Sequence, residues 1–359
     1  MKIGFVFTFV FVITGAIIGA GFASGREVLS FFSQYGFLSL IFILFAGLLF
    51  YLVFYVFAKI GNKLKPNSIS DLTKNIFGKA SIIVDLVFIL SSFITLSSML
   101  AGVDSTMKIV FSEKYIFPIV SILTCFIVVL LLNYGIKKIF KFTDMVMPFL
   151  FGTILIFTLA FLLFGQKQQI NYSSFNHSAF SLGISPILYV SMNTFCNIFL
   201  IAKAGSYMDN KKVKLGSIIC ASILTFCIFA VGLCILFGGD AILYSDMPML
   251  VIAKSMGNLA SSVYFVILIV AIFTTICTSA YTIVTWLNTF IANKFLCAVI
   301  VMTLGFIFSR FGFANIVDIF YPLEGAIGLI FIIMSIKYYF QNRNNNIANR
   351  KTNKKTSSK

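Results

Sequence analysis

Charge is scarce in this sequence: of 359 residues only 11% are Asp, Glu, Lys or Arg, and there is a single histidine, His177. Water-soluble domains carry about twice that share of charge, so a soluble enzyme or binding module is excluded. The seven cysteines (Cys125, Cys196, Cys220, Cys227, Cys234, Cys277, Cys297) form no C-x-x-C pair and have no histidine partners. They therefore predict neither a disulfide framework nor a metal site. No nucleophile elbow and no phosphate-cradling G-x-x-x-x-G-K occurs, and nothing points to catalysis. His177, alone in a loop, reads as solvated. Cys220, Cys227 and Cys234, spaced by seven, would share one helix face, where small residues mean close packing.

What is abundant is apolar: 60% of the chain is hydrophobic and 44 residues are Phe. Crossing about 30 Å of hydrocarbon at 1.5 Å per residue takes about 20 apolar residues, and such runs recur from end to end. Ten are predicted, at 4–33, 37–58, 81–103, 116–133, 145–164, 181–203, 215–237, 260–287, 295–310 and 315–338. The chain is thus expected to be an all-α polytopic membrane protein. The run 3–18 also has the look of a secretory signal, but the loop charges argue for ten spans.

The net charge of +16 would suggest nucleic acid in a soluble protein; here its placement carries the information. With a cytoplasmic N-terminus, 21 of the 27 basic residues fall on the inner side, at position 2, in 59–79, 137–141, 203–214 and 294, and from 337 onward. Only Arg26, Lys108, Lys114, Lys167, Lys254 and Arg310 fall outside, so both termini are expected in the cytoplasm of a bacterial cell. The stretch 341–359 has six basic residues, no acidic ones and many Asn, and is expected to be a disordered tail.

Two spans read as interrupted. The first contains Gly19-Ala20-Gly21-Phe22-Ala23-Ser24-Gly25, and each Gly lowers helix propensity by about 1 kcal/mol relative to Ala. The sixth contains Ser191-Met192-Asn193-Thr194-Phe195-Cys196-Asn197, a polar cluster among Ile, Leu and Phe. Breaks at matching positions in two halves point to a midplane binding site in an inverted repeat. Five being odd, the second half runs with opposite topology. The halves are 1–164 and 165–340. A long inner loop at 59–80 and a long outer one at 238–259 hold equivalent places in them.

The residues I-I-G-A-G-F-A-S-G-R-E at 17–27, followed by F-F-S-Q-Y-G at 31–36, resemble the signature of the YkvI-like bacterial membrane proteins, of the amino acid–polyamine–organocation superfamily. The G-x-G-[IF] element, Gly19 to Phe22, is the broader superfamily mark. The resemblance implies a LeuT-type fold with spans 1–5 and 6–10 as inverted repeats and the substrate between spans 1, 3, 6 and 8. It implies that Gly19, Ala20 and Gly21 meet a substrate carboxylate at the start of a half-helix, where the dipole favours an anion. Ser191, Asn193, Thr194 and Asn197 of span 6 would oppose them. Thr278 and Ser279 resemble the hydroxyl pair of sodium-coupled members, whose other ligands by motif match would be carbonyls of Gly15, Ile18 and Thr275. Proton-coupled relatives use a lysine in span 5, and 145–164 contains none. Sodium, with no other cofactor, is the expected coupling ion.

Glu324 lies near the middle of span 10, where a carboxylate costs on the order of 2.5–3.5 kcal/mol and should face protein or water. It reads either as a proton acceptor or substrate-amine partner, or as an acid bonded to carbonyls freed by Pro322. Asp85 and Asp104 are expected to reach the interface, and Arg26 and Asp318 to be solvated at the outer surface. The function expected is secondary, sodium-coupled transport of a small amino-acid-like or related solute. A proton-coupled transporter and a nutrient-sensing receptor of the germinant type are the alternatives. The partners expected are the solute and the lipid bilayer, with no nucleic acid; oligomeric state is not legible.

Overall fold

The computed structural model describes residues 4–111, 118–134, 137–168, 170 and 179–356, with side chains at 5–111, 118–133, 149–168, 170 and 181–341. His177 and Lys114 lie outside the described residues. Span 1 is three pieces: α1 (Gly4–Ile17), α2 (Ala20–Ser24) and α3 (Arg26–Phe31). Gly19 is extended (φ −94°, ψ −167°), and Gly25 closes α2 in the left-handed region (φ 80°). A side chain at Gly25 would be strained by that φ and would crowd Met249 Cγ at 2.8 Å, so only glycine fits. The first half continues with α4 (Ser39–Leu64), the short α5 (Ile69–Phe77), α6 (Ser81–Phe111), α7 (Ile119–Tyr134) and α8 (Lys137–Phe164).

The second half repeats that order. Span 6 is α9 (Ala179–Cys196) and α10 (Ile198–Gly205), followed by α11 (Asn210–Leu236), the short α12 (Pro248–Ser255), α13 (Asn258–Leu287), α14 (Lys294–Ser309) and α15 (Phe313–Thr356). Described residues 181–205 bend by 66° at Asn197, inside the polar cluster that the composition marked. Among the described residues, five helical segments and this bent pair are long and apolar enough to cross a bilayer. Four shorter apolar helices of 10–17 residues complete the ten expected segments. The short helices α5 and α12 follow the second span of each half, as the two long loops predicted.

Helix starts follow local chemistry. Ser68, Asp209 and Asn293 cap α5, α11 and α14 by accepting from the N–H of Asp71, Lys212 and Leu296. Lys212 also bonds the Asp209 carboxylate at 2.7 Å and holds its pKa below the usual value. Cys220, Cys227 and Cys234 are buried on one face of α11, as their spacing predicts. Helix α15 runs on through Thr356, so most of the stretch expected as a disordered tail is helical. Its polar composition cannot nucleate a helix, but extending one already anchored adds a hydrogen bond per residue without a new nucleus.

Candidate functional site

The break in span 1 leaves carbonyls without helical partners, and neighbouring side chains satisfy them. Tyr264 on α13 donates to Ala23 O at 2.5 Å, Ser185 on α9 to Phe31 O at 2.5 Å, and Ser24 to Gly21 O at 2.6 Å. These bonds let irregular backbone persist where lipid could not solvate it. In span 6, Asn193 donates to Tyr189 O at 3.1 Å and Asn197 to Asn193 O at 2.9 Å, so both amides spend a donor on their own turn. Ser191, Asn193 and Thr194 are buried, and the Thr194 hydroxyl has no hydrogen-bond partner. Gly19 faces open space, with nothing within 4 Å of where a Cβ would stand.

Beside these expected residues stands one that sequence reasoning passed over. Glu27, near the start of α3, is 7% exposed, and its Oε2 has no hydrogen-bond partner. Its other oxygen occupies the face of Gly21, where a Cβ would overlap it. The resemblance put a substrate carboxylate against this glycine; the chain's own carboxylate is already there. Glu324 on α15 is 4% exposed with Oε1 unpartnered. Glu27 and Glu324 sit on helices α3 and α15, which pack against each other. Around them, Tyr321 shares a 2.9 Å hydrogen bond with Ser98, and the fully buried Tyr189 has an unpartnered hydroxyl. The Tyr189 ring packs on Phe31 at 5.3 Å and Phe32 at 5.1 Å.

The signal for Glu27 was available: it is one of only 11 acidic residues and lies eight positions from the first glycine of the break. It drew no separate reading because it closes a quoted motif and follows Arg26 directly. Arg26 instead turns away and forms an ion pair with Asp318, its Nε at 3.2 Å from Oδ1, while its Nη1 donates to Ser245 O at 3.1 Å. Arg26 is thus largely covered, against the expected solvation, where α3, α15 and the α11–α12 loop converge, while Asp318 stays on the exposed side as expected. Asp104 is likewise paired with Arg310, at 2.6 Å, and Asp85 accepts from Ser70 and Thr73 at 2.9 Å, clamping α5 onto α6.

On α13, Thr275 donates to Ala271 O at 2.9 Å, and Thr278 to Thr274 O and Thr275 O at 3.1 and 3.0 Å. These hydroxyls spend their proton within the helix, which leaves oxygen lone pairs for a cation. Ile18 is buried, and Gly15 and Ser279 are partly so. Among the described residues, no group of three or more His, Cys, Asp or Glu is placed to hold a metal ion.

No family model matches the chain. Over 328 residues it is 26% identical to the uncharacterized membrane protein YkvI of Bacillus subtilis (strain 168), covering 90% of this chain and 92% of that one. The uncharacterized protein YyaD of the same organism is 22% identical over 336 residues, 91% of this chain and 94% of that one. Among solved structures, the Eremococcus coleocola manganese transporter in complex with an aromatic bis-isothiourea substituted compound is similar at a TM-score of 0.61 and 16% identity, over 93% of this chain and 80% of that one. Mhp1 in its inward facing conformation is similar at 0.62 and 13% identity, over 92% and 76%. The fold is LeuT-type.

Proposed function

We propose that the protein is a secondary transporter that carries a small organic solute across the bilayer by alternating access. The observation that carries this reading is the pair of broken spans, α1–α3 and α9–α10, with buried, unpartnered polar groups of Glu27, Tyr189, Thr194 and Glu324 at and beside the breaks. Groups of this kind cost several kcal/mol in lipid and are retained where they meet a ligand. Arg26 and Asp318 tie shut the end that the loop charges assign to the outside. The likeness to proteins named as transporters supports the same reading. Proteoliposomes containing the protein should accumulate at least one member of a panel of radiolabelled amino acids and amines above protein-free vesicles. Stabilisation by a solute that is never accumulated would instead make the protein a sensor.

The coupling ion in this proposal is sodium, held by the hydroxyls of Thr278 and Ser279 with carbonyls of Gly15, Ile18 and Thr275. Neutral oxygens suit a hard monovalent ion. Thr278→Ala/Ser279→Ala is expected to weaken sodium affinity at least tenfold, since 1.4 kcal/mol is a factor of ten. Because coupling is reciprocal, solute binding in sodium should weaken while sodium-free binding is unchanged. Solute binding by the parent that ignores NaCl altogether would sink this assignment.

Sidedness is testable apart from transport. Single cysteines replacing Lys167 and Lys254, in a cysteine-free background, should react with an impermeant maleimide on intact cells, and those replacing Lys65 and Lys212 should not. Labelling at either of the last two would remove the cytoplasmic assignment of the termini.

A further inference from the structure

We propose that the groove between α4 and α11 binds one anionic phospholipid, with an acyl chain along the groove and the phosphate on lysines at its inner end. The inference needs only a bilayer around the protein and stands apart from the transporter reading.

Helices α4 and α11 pack on each other, yet they enclose a groove of about 620 Å³. Gly47 and Ala221 lie at its floor, and a Cβ at Gly47 would overlap Thr225 Oγ1, so the helices have approached as near as their side chains permit. Leu44, Leu48 and Phe226 line it and are exposed, which opens it toward hydrocarbon. Thr225 donates its hydroxyl proton to Ala221 O at 2.7 Å and so presents little polarity to the groove. Large walls over a floor of small residues leave a slot whose lining gains dispersion contacts only when a slender apolar chain fills it.

Charge at one end identifies which chain that is. On α4 the stripe Leu44, Leu48, Tyr51 continues turn by turn to Tyr55 and Lys59. The rings of Tyr51 and Tyr55 lie 6.1 Å apart, and Lys59 Nζ stands 5.4 Å over the Tyr55 ring and donates to Asn210 Oδ1 at 2.5 Å. That ammonium is thereby fixed between the two helices, at the end of the groove that the loop charges assign to the cytoplasm. On α11 the stripe through Ser222 and Ile218 continues to Lys214 and Lys211, one and two turns beyond Ile218 and both exposed. The neighbouring acid, Asp209, is paired with Lys212 at 2.7 Å. Among the described residues, Lys59, Lys211 and Lys214 form no ion pair.

Length agrees with charge. Lys59 stands 12 residues from Gly47, about 18 Å along the helix at 1.5 Å per residue. One leaflet is about 15 Å deep, half of a hydrocarbon core of about 30 Å. A phosphate at Lys59 therefore places its acyl chain along the slot. A second copy of this chain, related by an axis along the membrane normal, would set lysines against lysines at the same depth. A lipid without net charge would leave them without a counter-charge. Basic residues at inner span ends also set topology wherever they stand, and Lys74 and Lys79 are of that kind: exposed, in a segment that packs on α6.

The test uses purified full-length protein in detergent and three probes: palmitoyl-oleoyl-phosphatidylglycerol, palmitoyl-oleoyl-phosphatidylcholine and glycerol 1-phosphate. Native mass spectrometry reads the lipid retained, and thermal unfolding reads the midpoint. The phosphatidylglycerol should be retained as one molecule per protein and raise the midpoint, with at least tenfold less retention of the phosphatidylcholine and no shift from glycerol 1-phosphate. Lys59→Gln and Lys214→Gln should each lower phosphatidylglycerol retention severalfold, and together at least tenfold. Ser222→Phe fills the slot from an exposed position and leaves every lysine in place, and it should lower retention to the same extent. Lys74→Gln/Lys79→Gln should retain the lipid as the parent does. Equal retention of the two lipids, or phosphatidylglycerol retention that survives either the lysine pair or Ser222→Phe, would overturn the proposal. So would an equal loss in Lys74→Gln/Lys79→Gln, or a midpoint raised as far by glycerol 1-phosphate alone. Should the lysine variants fail to insert, the lipid comparison on the parent and Ser222→Phe decide.

Discussion

Gly61→Leu is expected to prevent the protein from accumulating in the membrane as a monodisperse species. Gly61 on α4 faces the backbone of Ala202 on α10, and a Cβ there would stand 2.6 Å from Ala202 Cα and overlap its carbonyl. One turn along, Gly205 on α10 meets the backbone of Ala58 in the same way, at 2.5 Å from its Cα. Small residues let two helices touch backbone to backbone, and lipid offers no hydrophobic drive to hold them if that contact is lost. Backbone cannot step aside as a side chain can, so the cost exceeds the roughly 1–3 kcal/mol of ordinary overpacking. Gly152→Ala on α8, where nothing lies within 4 Å, is the control; it should be neutral or gain up to about 1 kcal/mol of helix propensity. Fluorescence-detected size exclusion of a tagged protein separates the outcomes. A Gly61→Leu peak of parental size and position would show that the α4–α10 crossing is not the close one described.

Arg26→Ala is expected to open the centre of the molecule toward the side that bears Asp318. Arg26 binds one carboxylate and two carbonyls at once, joining α3, α15 and the loop before α12. Each hydrogen bond to a charged group contributes about 1.5–3 kcal/mol, and Asp318 is partly solvated, so only part of the sum is lost. A shift of roughly 1.4 kcal/mol already changes the open population tenfold. The reporter is Cys196, the last residue of α9 at the break in span 6, in a background lacking the other six cysteines. Its reaction with an impermeant methanethiosulfonate added outside intact cells should accelerate tenfold or more in Arg26→Ala. Arg26→Asp/Asp318→Arg should restore part of the slow rate. An unchanged rate in Arg26→Ala would mean that the ion pair does not close the path.

The placements of Arg26 and Glu27 share a cause. Arg26 and Glu27 are adjacent in sequence, yet one closes the outer end and the other faces the interior, because α3 begins at the left-handed Gly25 and turns the two side chains apart. Read along the chain, they are an Arg-Glu pair at the end of a span. Asp318 and Glu324 stand nearly two turns apart on α15, and nothing local says that one meets Arg26 while the other is buried. Ser98, Tyr189 and Tyr321 escaped notice for a similar reason, since a lone hydroxyl on an apolar helix carries no signal until its neighbour is known.

The sequence by itself determined the solvent, the ten apolar segments, the breaks at Gly19 and Asn197, and the repetition of one helix order in two halves. Each of these is a local demand: a bilayer requires about 20 apolar residues per crossing, and glycine or amide clusters interrupt a helix wherever they occur. Only the tertiary structure decided which charges meet, namely Arg26 with Asp318 and Asp104 with Arg310, and that Glu27 and Glu324 are buried. Such pairings depend on how helices distant in sequence rotate and cross, and a crossing as close as Gly61 on Ala202 is set by the packing of the whole bundle rather than by either segment alone.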